Sequence, residues 1–225
     1  MKSIFQILLI FSIWSCSSQN ETIGKADQQT TEFDKILGTE NSHTLNSLVA
    51  EFENNFLKSQ YPNLDIENAY RKFLAETSEG EINYSRAISE KSKKIFNKSQ
   101  LRLEIFCVAD STWIETNPWN DKTLLVKARA RCKNPDGTFE NRPMEMPFDE
   151  KEISKDSILK KYMNFVRTNH NGKYLKALNS ISDKSEFLSY FVKGRNEFGI
   201  IPFYFTAESI LDYRGQYLNS YLQCQ

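Results

Sequence analysis

The spacing of the apolar residues changes twice along this chain, and this change constrains the fold more than any other feature. In the first third, apolar residues recur at intervals of three and four, as on one face of a helix. The clearest stripe predicts a helix from Thr44 to Tyr61 and consists of Leu45, Leu48, Val49, Phe52 and Phe56. Asp65 is the predicted N-cap of a second helix, and a third is expected to begin near Asn83. The chain therefore opens with helices.

The middle of the chain alternates apolar and polar residues, which is the period of a β-strand. Two runs show this alternation, residues 101–107 and residues 124–132. The turn-forming residues 134–137 follow the second run and precede Thr138 and Phe139, so the pattern predicts a small antiparallel hairpin. In an alternative interpretation, residues 100–106 are the tail of the third helix, and the sequence leaves both interpretations open.

The helical period returns after Ser154 and continues toward the end of the chain. Asp183 and Glu186 have the spacing of a capping box at the start of one of these helices. Helices, a short strand region and helices again predict a mainly α (α+β) fold. We expect a single helical domain over residues 42–225, with about seven helices and a small antiparallel β element in the middle.

The first eighteen residues have the organisation of a targeting segment. Lys2 supplies a positive charge, and Ile4 to Trp14 form an apolar run far shorter than the roughly 20 residues that span a bilayer. The small residue Ser15 then precedes Cys16. This arrangement resembles the signal and lipobox of bacterial lipoproteins. The alternative is an ordinary secretory signal that contains a chance cysteine.

The resemblance to lipoproteins implies a location and a membrane partner. Residues 1–15 would be removed as a signal peptide, and Cys16 would carry acyl chains, including palmitate. The protein would then be exported and anchored on the periplasmic or cell-surface face of the envelope. Residues 16–41 are polar and lack a sustained period, so we expect the lipidated cysteine to be followed by a flexible tether. The mature domain resembles no family by its sequence.

Two short motifs add a second resemblance to exported proteins. Residues 110–112 (Asp-Ser-Thr) and 156–158 (Asp-Ser-Ile) resemble the three-residue O-glycosylation sites on exported proteins of some Bacteroidetes. Triplets of this kind arise readily by chance, so ordinary surface residues are the favoured interpretation.

Charge and cysteine usage exclude several classes of function. Lys and Arg total 29, as do Asp and Glu. The chain therefore lacks the excess of positive charge that would indicate a nucleic-acid partner. Cys107 and Cys132 each end an alternating run, and in an oxidising compartment we expect them to lie close together as a disulfide. An odd number of cysteines remains after Cys16, and the sequence does not indicate the state of Cys224. His43 and His170 lie far apart without a metal-binding motif, so no metal and no cofactor are expected.

Few residues of the sequence have the types and spacing of a catalytic site. Cys107, His170 and Asp110 have the residue types of a thiol hydrolase, but such a trio occurs by chance in most chains. Acidic pairs drawn from Glu145, Asp149 and Glu150 could act in acid/base catalysis, but solvent exposure is the simpler interpretation. The sequence therefore favours a binding or accessory component of the envelope over an enzyme. The alternatives are an envelope hydrolase that uses a Cys/His or carboxylate-pair site, and a structural spacer or inhibitor.

The segment from Trp113 to Trp119 is the strongest candidate for a binding site. Its two tryptophans show neither a helical nor an alternating period, and Asn117 and Pro118 between them favour a turn. A tryptophan in a loop either fills the core or stacks on a ligand. The first interpretation, in which the rings are buried, is the favoured one. The second predicts a ligand loop for a protein or glycan partner.

Overall fold

The computed structural model describes residues 31–82, 88–120 and 122–222, with side chains described as far as residue 212. The chain divides into two compact units, one of Arg102–Lys176 and one of the residues before and after that segment. In chain order the elements are α1 (Thr39–Phe52), a π-helical turn (Glu53–Leu57) with a final α turn (Lys58–Gln60), α2 (Ile66–Ser78), α3 (Glu90–Lys98), α4 (Leu101–Ile105), β1 (Phe106–Thr116), β2 (Leu124–Lys133), β3 (Phe139–Phe148), α5 (Lys155–Met163), β4 (Val166–Thr168), α6 (Lys173–Ser180), a 3-10 turn (Ser182–Lys184), α7 (Glu186–Phe198) and α8 (Phe203–Leu222).

Helical structure begins within the segment expected to be a tether. Residues 31–37 are helical, and the side chains of Phe33 and Leu37 are fully buried. Two large apolar side chains supply enough buried surface to order this short stretch, although the polar residues around them hide the pattern. The expected positions of the signal peptide and of Cys16 lie outside the described residues.

The helical unit has a core of aromatic rings. The ring of Phe73 on α2 lies 5.3 Å from that of Phe52, 5.7 Å from that of Phe56 and 6.4 Å from that of Phe203 on α8. These pairs have the edge-to-face geometry that places the positive edge of one ring against the negative face of another. The helical stripe read from the sequence is therefore a core face.

Polar contacts define the ends of the helices in this unit. The Asp65 carboxylate accepts a hydrogen bond from the Asn68 backbone N–H at 2.8 Å, which confirms the predicted N-cap of α2. Ser89 caps α3, and its hydroxyl also donates to Glu51 on α1 at 3.2 Å. Helix α3 begins at Glu90 rather than near Asn83, and residues 83–87 lie outside the described part of the chain. Ser185 caps α7, so the capping-box prediction for Asp183 is wrong.

The second unit is built on a four-stranded antiparallel sheet with the order β3-β2-β1-β4. Helix α5 covers one face of the sheet, and Ile158 and Tyr162 pack there against Val126, Ala128 and Ala130. Even-numbered residues of β2 lie on this covered face, while the odd-numbered Arg129 and Arg131 are exposed. The alternation that predicted β2 therefore reflects a sheet with one covered and one open face.

The prediction of a mainly α fold made of a single helical domain is wrong. The chain is mixed α+β, because β1, β2 and β3 are ten or eleven residues long and form a sheet with its own core. The predicted hairpin anticipated the start of strand β3 after the turn at residues 134–137. Its length was missed because β3 is an edge strand with mostly exposed side chains, so it lacks apolar alternation. It also contains Pro143 and Pro147, which are tolerated at a sheet edge where their missing N–H groups have no partner strand.

The alternating run at residues 101–107 is helical over Leu101–Ile105 and becomes a strand at Phe106. A buried polar cluster marks this transition. The Glu104 carboxylate lies 2.8 Å from the Lys133 ammonium and accepts a hydrogen bond from the Lys173 backbone at 2.9 Å. The Asn169 side-chain amide donates to the backbone carbonyls of Leu103 and Lys133. Because these polar groups are buried, removing the partner of any one of them would leave it without a hydrogen bond or counter-charge and would destabilise the fold.

Candidate functional site

A bulge in β1 decides which of its side chains point away from the core. Ala109 pairs with Ala130 and Ser111 pairs with Arg129, so Asp110 is an extra residue in β1. Odd-numbered residues face the core before the bulge, whereas even-numbered ones such as Ile114 face it afterwards. Trp113 therefore lies on the open side of the sheet, together with its cross-strand partner Lys127.

We call this open side the outer face. It consists of Asp110, Trp113 and Glu115 from β1, Lys127, Arg129 and Arg131 from β2, and Phe139 and Glu145 from β3. Three cations run along the central strand, and three carboxylates flank them. Arg129 Nε lies 2.9 Å from Asp110 Oδ1, while Lys127 Nζ lies 2.7 Å from Glu115 and 3.7 Å from Glu145. The face is therefore electrically balanced and does not favour an ion of either sign.

Trp113 is held in place by its neighbours while its ring remains accessible. Its indole N–H donates to Glu115 Oε1 at 2.7 Å, and the other oxygen of the same carboxylate pairs with Lys127. The side chain is 39% exposed. A ring that is oriented by a hydrogen bond but not buried is arranged for stacking, because little side-chain entropy remains to be lost on binding. The structure places Trp113 in a strand, so the prediction that it lies in a loop is wrong.

Trp119 lies in the turn that follows β1 and is 78% exposed. The Asn117 side chain orders this turn, because its oxygen accepts from the Trp119 N–H at 3.1 Å and its amide donates to Thr123 at 2.8 Å. The two tryptophans are six residue steps apart, so their Cα atoms lie within about 20 Å of each other. The prediction that these rings fill the core is wrong for both.

The far end of the outer face carries a third aromatic ring. The Arg131 guanidinium carbon lies 4.2 Å from the centre of the Phe139 ring, a cation–π contact. Phe139 begins β3 and remains partly exposed. Arg131 and Lys127 are four residues apart on one strand, so about 13 Å separates this end of the face from the Trp113 end.

Two carboxylates of the outer face, Asp110 and Glu115, are stabilised in their charged form. A hydrogen bond from Arg129 lowers the pKa of Asp110. The pKa of Glu115 is lowered mainly by a hydrogen bond from Lys127 and to a smaller extent by one from Trp113. The same contact with Glu115 raises the pKa of Lys127. These groups therefore remain ionised at neutral pH, and none has the raised carboxyl pKa that a general acid requires.

Cys107 and Cys132 form a disulfide in the structure. The β1–β2 register places them opposite each other, with Cα atoms 4.3 Å apart, and both are buried in the core under α5. A disulfide sulfur is not a thiolate nucleophile, and Asp110 lies on the opposite side of the sheet, paired with Arg129. His170 is exposed. The structure therefore does not assemble Cys107, His170 and Asp110 into a catalytic set.

The candidate acidic pairs do not form an isolated acid/base site. Glu145 contacts Lys127, Glu150 pairs with Lys155 at 3.2 Å, and Asp149 accepts from the Lys151 backbone. Among the described residues, no group of three or more His, Cys, Asp or Glu side chains could hold a metal ion. No described helix is long and apolar enough to cross a membrane.

The two glycosylation-like triplets lie in regular secondary structure. Residues 110–112 belong to β1, where the Ser111 hydroxyl donates to Asp110 at 3.0 Å. Residues 156–158 lie in the first turns of α5, where the Ser157 N–H donates to the Ser154 cap. Cys16 and Cys224 lie outside the described residues.

Sequence reasoning missed Phe139 and the row of cations as parts of this surface. The signal was present in β2, where Lys127, Arg129 and Arg131 alternate with alanines and therefore share one open face. Phe139 was expected to follow the hairpin turn, but its place on the outer face depends on how β3 pairs with β2. Comparisons of the chain with protein-family models, with curated proteins and with solved structures found no match.

Proposed function

We propose that the protein is an exported, lipid-anchored binding component of the cell envelope, and that the outer face with Trp119 is its ligand-binding surface. The observation that carries this proposal is the exposure of both Trp113 and Trp119 on an ordered framework. Large aromatic side chains are normally buried, because removing them from water is strongly favourable. Two accessible rings on one short segment are therefore best explained by a ligand that covers them.

The chemistry of the surface favours a neutral glycan. The C–H bonds on one face of a sugar ring carry partial positive charge and suit the negative face of an indole. The carboxylates, Lys127 and Arg129 beside the rings can exchange hydrogen bonds with hydroxyl groups. The balanced charge gives no reason for a polyanion. A protein partner is less favoured, because the cores of protein interfaces are depleted in charged residues.

The proposed location rests on the N-terminal segment. The short apolar run and the Ser15-Cys16 pair support removal of the signal and acylation of Cys16. Two or more acyl chains hold a protein stably on a bilayer, whereas one chain holds it only weakly. The binding surface would then operate at the periplasmic or cell-surface face of the envelope.

Binding to immobilised neutral polysaccharides tests the role of the surface. We would measure the wild-type protein on a panel that includes a β-glucan, a mannan and a chitin oligomer. Truncation of an aromatic anchor typically costs 2 kcal/mol or more, so Trp119→Ala should weaken binding at least about 30-fold. Because the Trp119 ring is largely exposed, its removal should leave the melting temperature unchanged.

Phe165→Ala is the matched control, since Phe165 is an exposed aromatic residue of the same unit that follows α5 and does not belong to the outer face. Its affinity for the glycan should equal that of the wild type. The proposal fails if wild-type protein binds none of the polysaccharides, or if Trp113→Ala and Trp119→Ala bind as tightly as Phe165→Ala. Binding to an envelope protein that both tryptophan variants lose would instead assign the surface to a protein partner.

Metabolic labelling with an alkyne-bearing palmitate tests the anchor separately. The wild-type protein should incorporate the label and partition with membranes. Cys16→Ala should lose the label and leave the membrane fraction. A labelled Cys16→Ala protein, or one that remains membrane-bound without label in high salt, would place the anchor elsewhere.

A further inference from the structure

The helical unit carries an exposed aromatic surface that the proposed function does not use. Five large side chains of α7, of the connector that follows it and of the start of α8 are exposed, and we call them the aromatic patch: Tyr190, Phe198, Ile200, Tyr204 and Phe205. Phe198 and Tyr190 are 78% and 73% exposed, values unusual for side chains of this size. The Tyr204 and Phe205 rings lie 4.2 Å apart. An apolar cluster of this kind on a protein surface marks a site of interaction.

Part of the patch lines a groove between α7 and α8. The groove has a volume of about 700 Å³, and Tyr190, Phe198 and Phe205 share it with the more buried Phe187 and Phe191. Gly194 lets the following segment approach closely, because a Cβ there would lie 3.1 Å from Ile201. The patch and the groove therefore form one continuous apolar surface on a helical hairpin.

The polar groups of the groove are poorly suited to orienting a small ligand. The Ser209 hydroxyl donates to the Phe205 carbonyl at 2.8 Å, so it is already engaged within its own helix. The charged lining residues, Lys193 and Glu197, have opposite signs and lie one helical turn apart. Sites for discrete ligands combine an apolar lining with a few convergent polar groups. This surface has the apolar lining but lacks convergent polar groups. It is therefore better suited to an extended apolar phase than to a discrete ligand.

The proposed acylation of Cys16 favours a membrane as that phase. Fifteen residue steps separate Cys16 from Thr31, the first described residue, so the chain between them spans at most about 50 Å. Thr31 belongs to the same compact unit as α7 and α8. An acylated Cys16 would therefore hold the patch near the bilayer at a high effective concentration. Tyrosine and other aromatic side chains are favoured at the boundary between lipid and water.

We propose that the aromatic patch on α7 and α8 inserts into the interfacial region of the bilayer that holds the lipid anchor. This inference rests on the proposed function, because the acyl chains on Cys16 would supply the other contact with the membrane. The two contacts act together, because the lipid prevents escape while the patch orients the helical unit on the membrane surface. Interfacial side chains of this type reach about 5 to 10 Å into the boundary between headgroups and acyl chains.

Fluorescence quenching by brominated lipid tests the inference on the full lipidated protein. The protein is reconstituted into vesicles of phosphatidylcholine, and a tryptophan is introduced by Phe198→Trp or, as the control, by Phe165→Trp. Both sites are exposed aromatic positions, and both variants retain the same native tryptophans. Replacing the lipid by dibromo-phosphatidylcholine should quench the added fluorescence of Phe198→Trp and leave that of Phe165→Trp unchanged. Equal quenching of the two variants would overturn the proposal.

Two further arms separate this inference from the lipid anchor. Vesicle flotation reports whether the protein is anchored through Cys16. If the protein floats and Phe198→Trp is not quenched, the membrane contact of the patch is refuted while the anchor stands. If the protein is not acylated, unlipidated Phe198→Trp is mixed with excess vesicles: quenching supports the patch as a membrane contact, and its absence overturns it. In that arm Phe198→Ser should weaken vesicle binding of the unlipidated chain roughly tenfold.

A free acyl chain or a second copy of the protein could instead occupy this surface, and each would give a different experimental result. Quenching of Phe198→Trp by a dibrominated free fatty acid without vesicles, combined with no quenching by brominated bilayers, would assign the groove to an acyl chain. A sedimenting dimer that Phe198→Ser and Phe205→Ser dissociate would assign the patch to a second copy of the chain. Either result would refute insertion into the bilayer.

Discussion

Reduction of the disulfide between Cys107 and Cys132 should weaken the sheet unit by an amount that the structure allows us to calculate. The bridge joins residues 25 apart in sequence. In the loop-entropy treatment, closing a loop of this length removes about 12 cal/mol/K from the unfolded chain, which corresponds to about 3.5 kcal/mol at 25 °C. The hydrogen bonds between β1 and β2 remain, so the reduced protein should stay folded but be less stable.

Urea unfolding followed by tryptophan fluorescence measures this difference. Trp113 and Trp119 both belong to the sheet unit, so their emission reports the unit that contains the bridge. Working in a Cys224→Ala background removes the third cysteine from the comparison. With and without a phosphine reductant, the midpoint should differ by about 1 to 3 M urea, given the usual dependence of the unfolding free energy on urea.

A control variant separates the covalent constraint from side-chain packing. The double variant Cys107→Ala/Cys132→Ala lacks the bridge and also two buried sulfur atoms, so it should be less stable than the reduced wild-type protein. Its midpoint should not respond to reductant. A change of less than about 1 kcal/mol in the unfolding free energy on reduction would contradict the calculated contribution of the disulfide. Full alkylation of Cys107 in unreduced protein, isolated from its native envelope and then denatured, would show that the disulfide does not form.

Three other perturbations test the sheet unit. A Cβ at position 172 would lie 1.9 Å from the Glu104 backbone oxygen, so Gly172→Ala should destabilise the unit by about 3 kcal/mol, measured as the urea midpoint. Lys133→Met would leave the buried Glu104 without its cation at a cost of roughly 3 to 5 kcal/mol, and Lys133→Arg should retain more of the stability. Acid should destabilise the fold, because the pKa values of Asp110 and Glu115 are lower in the folded state than in the unfolded chain. The contribution of these two carboxylates to the free energy of unfolding is complete above about pH 4.5 and is lost as the pH falls through the folded pKa values. The difference in urea midpoint between pH 7 and pH 3 should therefore be smaller in Asp110→Asn/Glu115→Gln than in the wild type, and an equal difference would contradict this account.

Local signals in the sequence were sufficient where the structure is itself local. The cap at Asp65 depends on a carboxylate and an N–H three residues away, and the sequence predicted it. The aromatic stripe that includes Phe52 is a core face because the helical period alone places its residues on one side. Strand β2 was predicted because its apolar residues alternate between a covered and an open face.

The candidate site could be read only in part. The sequence drew attention to Trp113 and Trp119, because rings without a period have no predicted place in a core. It did not reveal Phe139 as part of the outer face, because that position depends on the pairing of β3 with β2. The prolines and exposed side chains of β3 are compatible with an edge strand, but they resemble a loop when the partner strand is unknown.

The orientation of Trp113 is the clearest case in which tertiary structure decided the outcome. Cys107 and Trp113 are both odd-numbered residues of one strand, so simple alternation would place them on the same face. The extra residue at Asp110 reverses the alternation, which leaves Cys107 in the core and turns Trp113 outward. A bulge depends on the pairing of two strands and has no period of its own. The sequence by itself therefore determined the helical faces, the N-cap and the central strand, whereas the side of the sheet that carries the tryptophan was decided only when β1 paired with β2.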